Sequence, residues 1–259
     1  YTGATSVTAG TIDVQSNAAL GGVGTGTTVT SGAAVTITGS GLTVAEPFTL
    51  NGTGISGAGA VVNVANNNTM SGAITLGSAT TDVWTGNQNG NWDINTATNW
   101  TISGSPSTYF EGDFAQFTDA ASVTNVTLTT TLTPGSTTVN STKNYTFISS
   151  SGGHIAGTGG LSKSGSGSLT LSGVANTYSG NNTINGGLVV IDADANLGVS
   201  TNNVILNGGG LSAAGTLTLS ANRPLLLGPS AGTVNVATNQ TLNFAGIVAD
   251  NGAAGALVK

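Results

Sequence analysis

The side chains that could support catalysis or metal binding are few and widely spaced. The 259-residue chain has one histidine, His154, and no cysteine. A Ser-His-Asp triad would have to use that histidine, and a thiolate metal site is excluded. Because His154 has no Cys, Asp or His neighbour at a metal-ligand spacing, we interpret it as a surface or corner residue.

The acidic residues form two small groups that could bind a cation or act as acid and base. Glu111, Asp113 and Asp119 lie in one loop-like stretch, and Asp192 and Asp194 follow an apolar run. Alternating carboxylates can bind Ca²⁺, and a glycosidase needs two carboxylates about 5–10 Å apart. The sequence has no twelve-residue Ca²⁺ loop and no spacing that brings two carboxylates together. It therefore predicts solvated corner residues, with no catalytic residue, no metal and no cofactor.

Three regularly spaced tryptophans, Trp84, Trp92 and Trp100, lie in a stretch rich in Asn, Gly and Gln. Aromatic faces next to amide side chains are suited to bind sugars, so a glycan site is one hypothesis. The alternative is that the rings close the apolar end of a repeat as a cap or junction, since each can bury a large area. We favour the cap.

The charge content excludes further classes of protein. Charged residues make up 5% of the chain, the net charge is −6, and the basic residues are Lys143, Lys163, Arg223 and Lys259. Four scattered cations cannot form the basic stripe that a nucleic-acid binder needs. No apolar run reaches the roughly 18–20 residues that span a bilayer, so we predict no membrane insertion.

The elements that must position these residues are short strands. Runs with alternating apolar and polar residues recur along the chain, for example at 35–38, 188–191 and 217–219, and each ends at Gly or Asn. A period of two places one face inside and one outside, and the 41 glycines oppose helices. The chain is therefore predicted to be all-β, as a sandwich, a barrel or a β-solenoid.

An internal repeat favours the β-solenoid. Residues 1–21 align without gaps on residues 178–198, and the same offset places Glu46 over Arg223. Because opposite charges occupy this position, we infer a tolerated loop site. Units of short strands without helices bury their apolar face by stacking, which is how a solenoid forms.

Residues 163–173, 176–180 and 183–190 resemble the autotransporter-associated β-strand repeat, whose pattern is K-x-G-x-G-x-L-x-L-x-G, then N-x-Y-x-G, then x-I-x-x-G-x-L-x-V. Residues 84–119 resemble a lead-in found before such repeats. The resemblance implies a right-handed parallel β-helix that is exported to the bacterial surface or secreted, with a structural or adhesive role and no catalytic residues. The repeat corners that follow from it are Tyr1, Gly3, Gly10, Gly167, Gly173, Tyr178, Gly180 and Gly187.

We expect three segments along the chain. Residues 1–78 form one solenoid unit, 79–122 form the Trp- and Asn-rich junction or cap, and 123–259 form a second solenoid unit. Tyr1 corresponds to Tyr178 and Lys259 to Lys163, so we expect the repeat to be interrupted at both ends of the sequence.

The predicted function is structural. We expect a segment of an extracellular bacterial fibre or surface protein, a stiff β-solenoid whose partners are adjacent repeats or copies of itself, end to end. One alternative is an adhesin or glycan-binding module that uses Trp84, Trp92 and Trp100 to bind surface glycans. A more remote one is a polysaccharide-degrading β-helix enzyme.

Overall fold

A computed structural model describes residues 1–30, 32–52, 54–55, 58–65, 67–76 and 79–259. The chain forms two compact units. Unit 1 comprises Tyr1–Thr80 with Phe110–Gly112, and unit 2 comprises Thr81–Tyr109 with Asp113–Lys259. Among the described residues, no helix is both long and apolar enough to cross a lipid bilayer.

Unit 1 is built from short parallel strands. They are β1 (Thr5–Val7), β2 (Gly10–Val14), β3 (Thr27–Val29), β4 (Ala33–Ile37), β5 (Thr43–Val44), β6 (Phe48–Leu50), β7 (Val61–Asn63), β8 (Thr69–Met70) and β9 (Ile74–Leu76). They pair in the orders β1-β3-β6-β9, β2-β4-β7 and β5-β8. The coil with β3, β4 and β5 and the coil with β6, β7 and β8 each add one strand to all three sheets.

Unit 2 repeats this arrangement over a longer stretch. Its strands up to residue 155 are β10 (Thr81–Trp84), β11 (Asn91–Trp92), β12 (Trp100–Ile102), β13 (Ser105–Ser107), β14 (Phe114–Phe117), β15 (Asn125–Leu128), β16 (Thr131–Leu132), β17 (Ser136–Asn140), β18 (Tyr145–Ser149) and β19 (His154–Ile155). The following strands are β20 (Leu161–Ser164), β21 (Ser168–Ser172), β22 (Asn182–Ile184), β23 (Leu188–Ile191), β24 (Val204–Leu206), β25 (Gly210–Ala213), β26 (Leu217–Leu219), β27 (Leu225–Leu227), β28 (Gly232–Val236), β29 (Leu242–Phe244), β30 (Val248–Asp250) and β31 (Leu257–Val258). A short 3-10 helix, Asp194–Leu197, precedes β24.

Two long sheets run the length of unit 2. One has the order β10-β14-β17-β20-β22-β24-β27-β30 and the other β11-β15-β18-β21-β23-β25-β28-β31, with parallel pairing throughout these runs. One turn takes about 22 residues, because Asn182 on β22 pairs with Val204 on β24. The prediction of an all-β parallel solenoid is confirmed, and its right-handed coiling stays a prediction.

The Trp-rich segment also contains a small antiparallel element, which the sequence did not predict. β12 pairs antiparallel with both β10 and β13. Ser103 and Gly104 connect β12 to β13 with φ of 50° and 81°. Two consecutive residues with positive φ form the tight turn whose twist suits a hairpin.

The core of unit 2 consists of apolar columns that run across the turns. Leu169, Val189, Leu211 and Val234 occupy paired positions on β21, β23, β25 and β28, and all are buried. The alternate positions, such as Thr170, face outward. Backbone groups pair between turns, so the strands need no charged side chains to satisfy them.

Candidate functional site

The three tryptophans lie in one buried aromatic cluster of unit 2. Each ring is at most 1% exposed. The Trp100 ring lies 5.1 Å from that of Trp84 and 5.3 Å from that of Trp92, both edge to face. Tyr109 and Phe117 pack against the same rings. In this structure none of the three indoles has an exposed face that could stack on a sugar.

The predicted corner residues lie at or between strand ends. Gly10 begins β2, Gly167 precedes β21, Gly173 follows β21, and Gly187 precedes β23. Gly187 illustrates the constraint: its φ is +62°, and a Cβ atom there would overlap the carbonyl oxygen of Gly167 in the preceding turn. Gly3, Tyr178 and Gly180 also lie outside the strands. The Tyr178 side chain is buried, whereas that of Tyr1 is largely exposed.

Buried asparagines and a tyrosine bind the backbone at one corner of unit 2. The Tyr178 hydroxyl and the Asn182 side chain are 2.5 Å apart, and Asn182 Nδ2 donates to the carbonyl of Leu197. Asn176 accepts from the Ile155 amide and donates to the carbonyl of Asn196. These bonds satisfy backbone groups that the strands leave unpaired where the chain turns.

Arg223 completes this corner network, and the inference that it occupies a tolerated loop position is wrong. The side chain is buried, and its guanidinium donates to the Asp194 carboxylate, with Nε 2.8 Å from Oδ1. Nη1 donates to the carbonyls of Leu197 and Asn202, and Nη2 to those of Asp194 and Gly198. A planar guanidinium has five donors, so it can join a carboxylate and several carbonyls at once. Because Arg223 aligns with the oppositely charged Glu46, the sequence comparison did not indicate this role.

Lys163, on β20 of unit 2, also binds backbone carbonyls from a buried position. Period two places it on the same face of β20 as Leu161, and its side chain is fully buried. Nζ donates to the carbonyls of Ser164 and Gly165, at 2.6 and 3.0 Å. Burial disfavours the charged form and lowers the pKa of Lys163 to about 8.

The acidic residues of the two predicted groups serve separate corners. Asp119 is exposed and accepts from the hydroxyl of Ser141 and the amide of Thr142, and the Ser141 bond is the main reason its pKa is lowered. Asp192 accepts from the amide of Gly173. Asp113 is buried just before β14, and Glu111 is half-buried. His154 lies in β19, partly exposed, with Nδ1 2.9 Å from the carbonyl of Gly152.

The described part of unit 1 contains a corner whose side chains make hydrogen bonds equivalent to those of the Arg223 corner. Tyr1 and Thr5 hydroxyls are 2.6 Å apart, and the Thr5 hydroxyl donates to the carbonyl of Leu20. The amide of Thr43 donates to Asn17, as that of Ser220 donates to Asp194 in unit 2. All of these positions differ by the repeat offset, so the alignment made on sequence describes a recurring structure.

Comparison with known proteins identifies the repeat. A family profile for the passenger-associated transport repeat matches residues 1–14 and 161–191. These two stretches are similar to that repeat. The matched ranges include β1 and β2 in unit 1 and β20 to β23 in unit 2.

One curated relative is similar to part of the chain. This is the adhesin BmaC autotransporter of Brucella suis biovar 1 (strain 1330), which is 41% identical over 92 residues. The aligned part is 35% of this chain and 2% of the adhesin, so the chain spans a very small fraction of that protein. No solved structure matches the chain.

Proposed function

We propose that this chain is a rod-forming segment of an autotransporter passenger, located at the surface of a bacterium or secreted from it. The observation that carries the proposal is the pair of long parallel sheets in unit 2, with continuous apolar columns between them. Each turn is fixed to the next by backbone bonds, which makes a solenoid stiff along its axis. The passenger repeat supports an extracellular location, because the passenger is the exported part of an autotransporter.

A structural rather than catalytic role fits the use of the polar side chains. The side chains of Arg223, Lys163 and Asn182 are buried and bound to backbone carbonyls. Catalytic groups need open access to a substrate and a poised protonation state. We therefore propose that the segment is not an enzyme.

We further propose that the rod is extended by stacking on another turn of the same kind. The strands β30 and β31 pair on one side only, and Val248 and Val258 are about half exposed there. A strand with an unpaired edge and exposed apolar side chains is a template for a further strand. Adjacent repeats or a second copy of the chain provide strands with the matching pattern.

Electron microscopy with sedimentation tests this extension. The purified chain is expected to form concentration-dependent filaments, and the double variant Val248→Lys, Val258→Lys is expected to remain monomeric because lysines oppose edge pairing. Ile148→Lys is the matched control: Ile148 is 40% exposed but lies on β18, which is paired on both sides. It should assemble like the unmodified chain. A chain that stays monomeric at all concentrations would contradict the stacking proposal.

Adhesion is a second candidate, because the relative is named an adhesin. A binding surface would have to use the outward side chains of the solenoid, which are mostly Thr, Ser and Asn, since the tryptophan rings are buried. A glycan array with the unmodified chain tests this. Binding that survives Trp92→Phe but disappears when outward residues are changed would support an adhesive outer face and exclude the Trp cluster as the binding site.

A further inference from the structure

The corner around Glu46 in unit 1 and the corner around Arg223 in unit 2 have the same backbone but opposite central charges. The amide of Thr27 donates to the carbonyl of Pro47, as that of Val204 donates to that of Pro224. Together with the Thr5–Leu20 and Thr43–Asn17 bonds, these contacts place Glu46 where Arg223 lies in the other copy. The repeat has thus exchanged a cation for an anion inside a retained structure.

Glu46 is a buried carboxylate that is only half satisfied. The residue is 4% exposed, and Oε1 accepts a bond of 2.8 Å from the Thr27 hydroxyl. Oε2 is buried and has no hydrogen-bond partner among the residues that the structure describes. A buried ionised carboxylate is strongly unfavourable unless a counter-charge or donors compensate for it. A cation bound at this oxygen would supply the missing compensation.

In the unit 2 corner, the groups around the central residue are acceptors. In unit 2 the guanidinium is held by one carboxylate and by four backbone carbonyls. At the equivalent positions of unit 1, Asn17 replaces the aspartate, and the carbonyls belong to Asn17, Leu20, Gly21 and Thr25. By this alignment, the corner of unit 1 combines the Glu46 carboxylate with carbonyl oxygens and lacks the arginine that joins them in unit 2.

We propose that this corner of unit 1 binds Ca²⁺, which takes the place that the guanidinium has in unit 2. Ca²⁺ prefers carboxylate, carbonyl and amide oxygens and tolerates irregular geometry, which a solenoid corner provides. Within the described residues no three His, Cys, Asp or Glu side chains lie close enough to hold a metal. The ion would therefore depend on one carboxylate and on backbone oxygens. A site with so little charge is expected to have a Kd of about 10⁻⁴–10⁻³ M, the range of extracellular modules.

Hydrogen exchange followed by mass spectrometry can test the proposal on the full chain, because separate peptides report the exchange of each corner. With about 10 mM CaCl₂, amides in peptides covering 17–27 and 43–48 are expected to exchange about tenfold to a hundredfold more slowly, as binding at about ten to a hundred times Kd implies. Peptides covering 194–225 are the internal control, since Arg223 already occupies that corner, and should not change. NaCl of equal ionic strength provides the salt control.

Three variants test whether the effect depends on the Glu46 carboxylate. Glu46→Gln is expected to abolish the Ca²⁺ response, whereas Asp13→Asn, which changes an exposed carboxylate in the same unit, is expected to retain it. The exchange of both partners, Asn17→Asp with Glu46→Arg, rebuilds the unit 2 corner. It should give the same protection without Ca²⁺ and remove the response to the ion.

Three outcomes of the hydrogen-exchange experiment would overturn the proposal. An unmodified chain whose exchange at 17–27 is unaffected by Ca²⁺ has no such site, and a response that persists in Glu46→Gln places the ion elsewhere. If protection rises as the pH falls and Glu46→Gln is more protected than the unmodified chain without Ca²⁺, Glu46 is held as a neutral acid instead. That outcome also contradicts a cation site.

Discussion

At the scale of single residues, a few buried polar side chains bind the places where the backbone of the solenoid turns. Arg223 and Lys163 are both inside unit 2, and both donate to backbone carbonyls. They differ in their counter-charge, because Arg223 also contacts Asp194. Arginine keeps its proton in such surroundings, while a buried lysine can lose it.

Arg223→Lys is expected to destabilise unit 2 by about 3–5 kcal/mol, the usual effect of breaking a buried pair. An ammonium cannot reach the Asp194 carboxylate and the carbonyls of Leu197 and Gly198 together, because it lacks the planar fork. Urea unfolding followed by tryptophan fluorescence gives the change in the free energy of unfolding. Asp194→Asn, which leaves the buried guanidinium without its counter-charge, should destabilise unit 2 by a similar amount. Equal stability of Arg223→Lys and the unmodified chain would contradict this role.

Lys163 is expected to make unit 2 more stable as the pH rises from about 8 to 10. Its folded pKa of about 8 lies below the reference value of 10.5, so the unfolded chain binds more protons in this window and the free energy of unfolding increases with pH. Burial raises the pKa values of Tyr145 and Tyr178 above 10.0. The unfolded chain loses those protons first, so stability falls again above about pH 10.

Urea unfolding across this pH range, compared between the unmodified chain and Lys163→Met, checks the assignment. Methionine has a similar length and no charge, so the rise between pH 8 and 10 should disappear while the fall at higher pH remains. A rise of equal size in both proteins would show that another group is responsible.

At the scale of elements, the strands were predictable and the corners were predictable only in part. Alternation located strands such as β15 and β21, because their inward positions are apolar and their outward positions are polar. The same alternation gives a signal for Lys163, which has the inward phase of Leu161. The hairpin between β12 and β13 gave little signal, since Ser103 and Gly104 resemble many other glycine-containing turns in this chain.

The three tryptophans of the aromatic cluster are the largest fully buried side chains of unit 2. Within the cluster, Trp100 contacts Trp84, Trp92, Tyr109 and Phe117. Trp100→Ala is expected to reduce the free energy of unfolding by about 3–5 kcal/mol, as for large aromatic side chains removed from a core. Urea unfolding followed by the fluorescence of the remaining tryptophans measures it.

The control for this prediction is Ile148→Ala, which truncates a partly exposed side chain on β18. Its effect should be well below that of Trp100→Ala. If Trp100→Ala were equally mild, the ring would contribute little to packing, and its burial would need another explanation.

At the scale of the whole molecule, the two units have cores of different size. Buried hydrophobic residues form one cluster in unit 1 and a larger one, rich in aromatic residues, in unit 2. Buried apolar area is the main favourable term in folding, so the larger core should be the more stable.

Calorimetry is therefore expected to show two transitions, with unit 1 unfolding at the lower temperature. All three tryptophans belong to unit 2, so their fluorescence should follow only the upper transition. Peptides of unit 1 should lose their protection from hydrogen exchange before the fluorescence changes. A single transition in which calorimetry and fluorescence coincide would contradict independent unfolding.

The candidate sites were harder to predict than the fold, for a physical reason visible at Glu46 and Arg223. An alignment of two copies records which residues share a position, but it does not record whether the position is buried. At an exposed position, opposite charges in the two copies indicate that the position tolerates either residue. In an enclosed corner they indicate two different ways of balancing charge, and burial decides between these interpretations.

The parallel register between successive turns also has a genetic consequence. Every turn presents nearly the same edge to the turn before it and the turn after it, about 22 residues further along the chain. Unequal recombination that adds or removes a whole turn would leave the two new neighbours able to pair, whereas an insertion of a few residues would have to be accommodated at a corner. Genes for such chains are therefore expected to vary in length between strains by multiples of one turn.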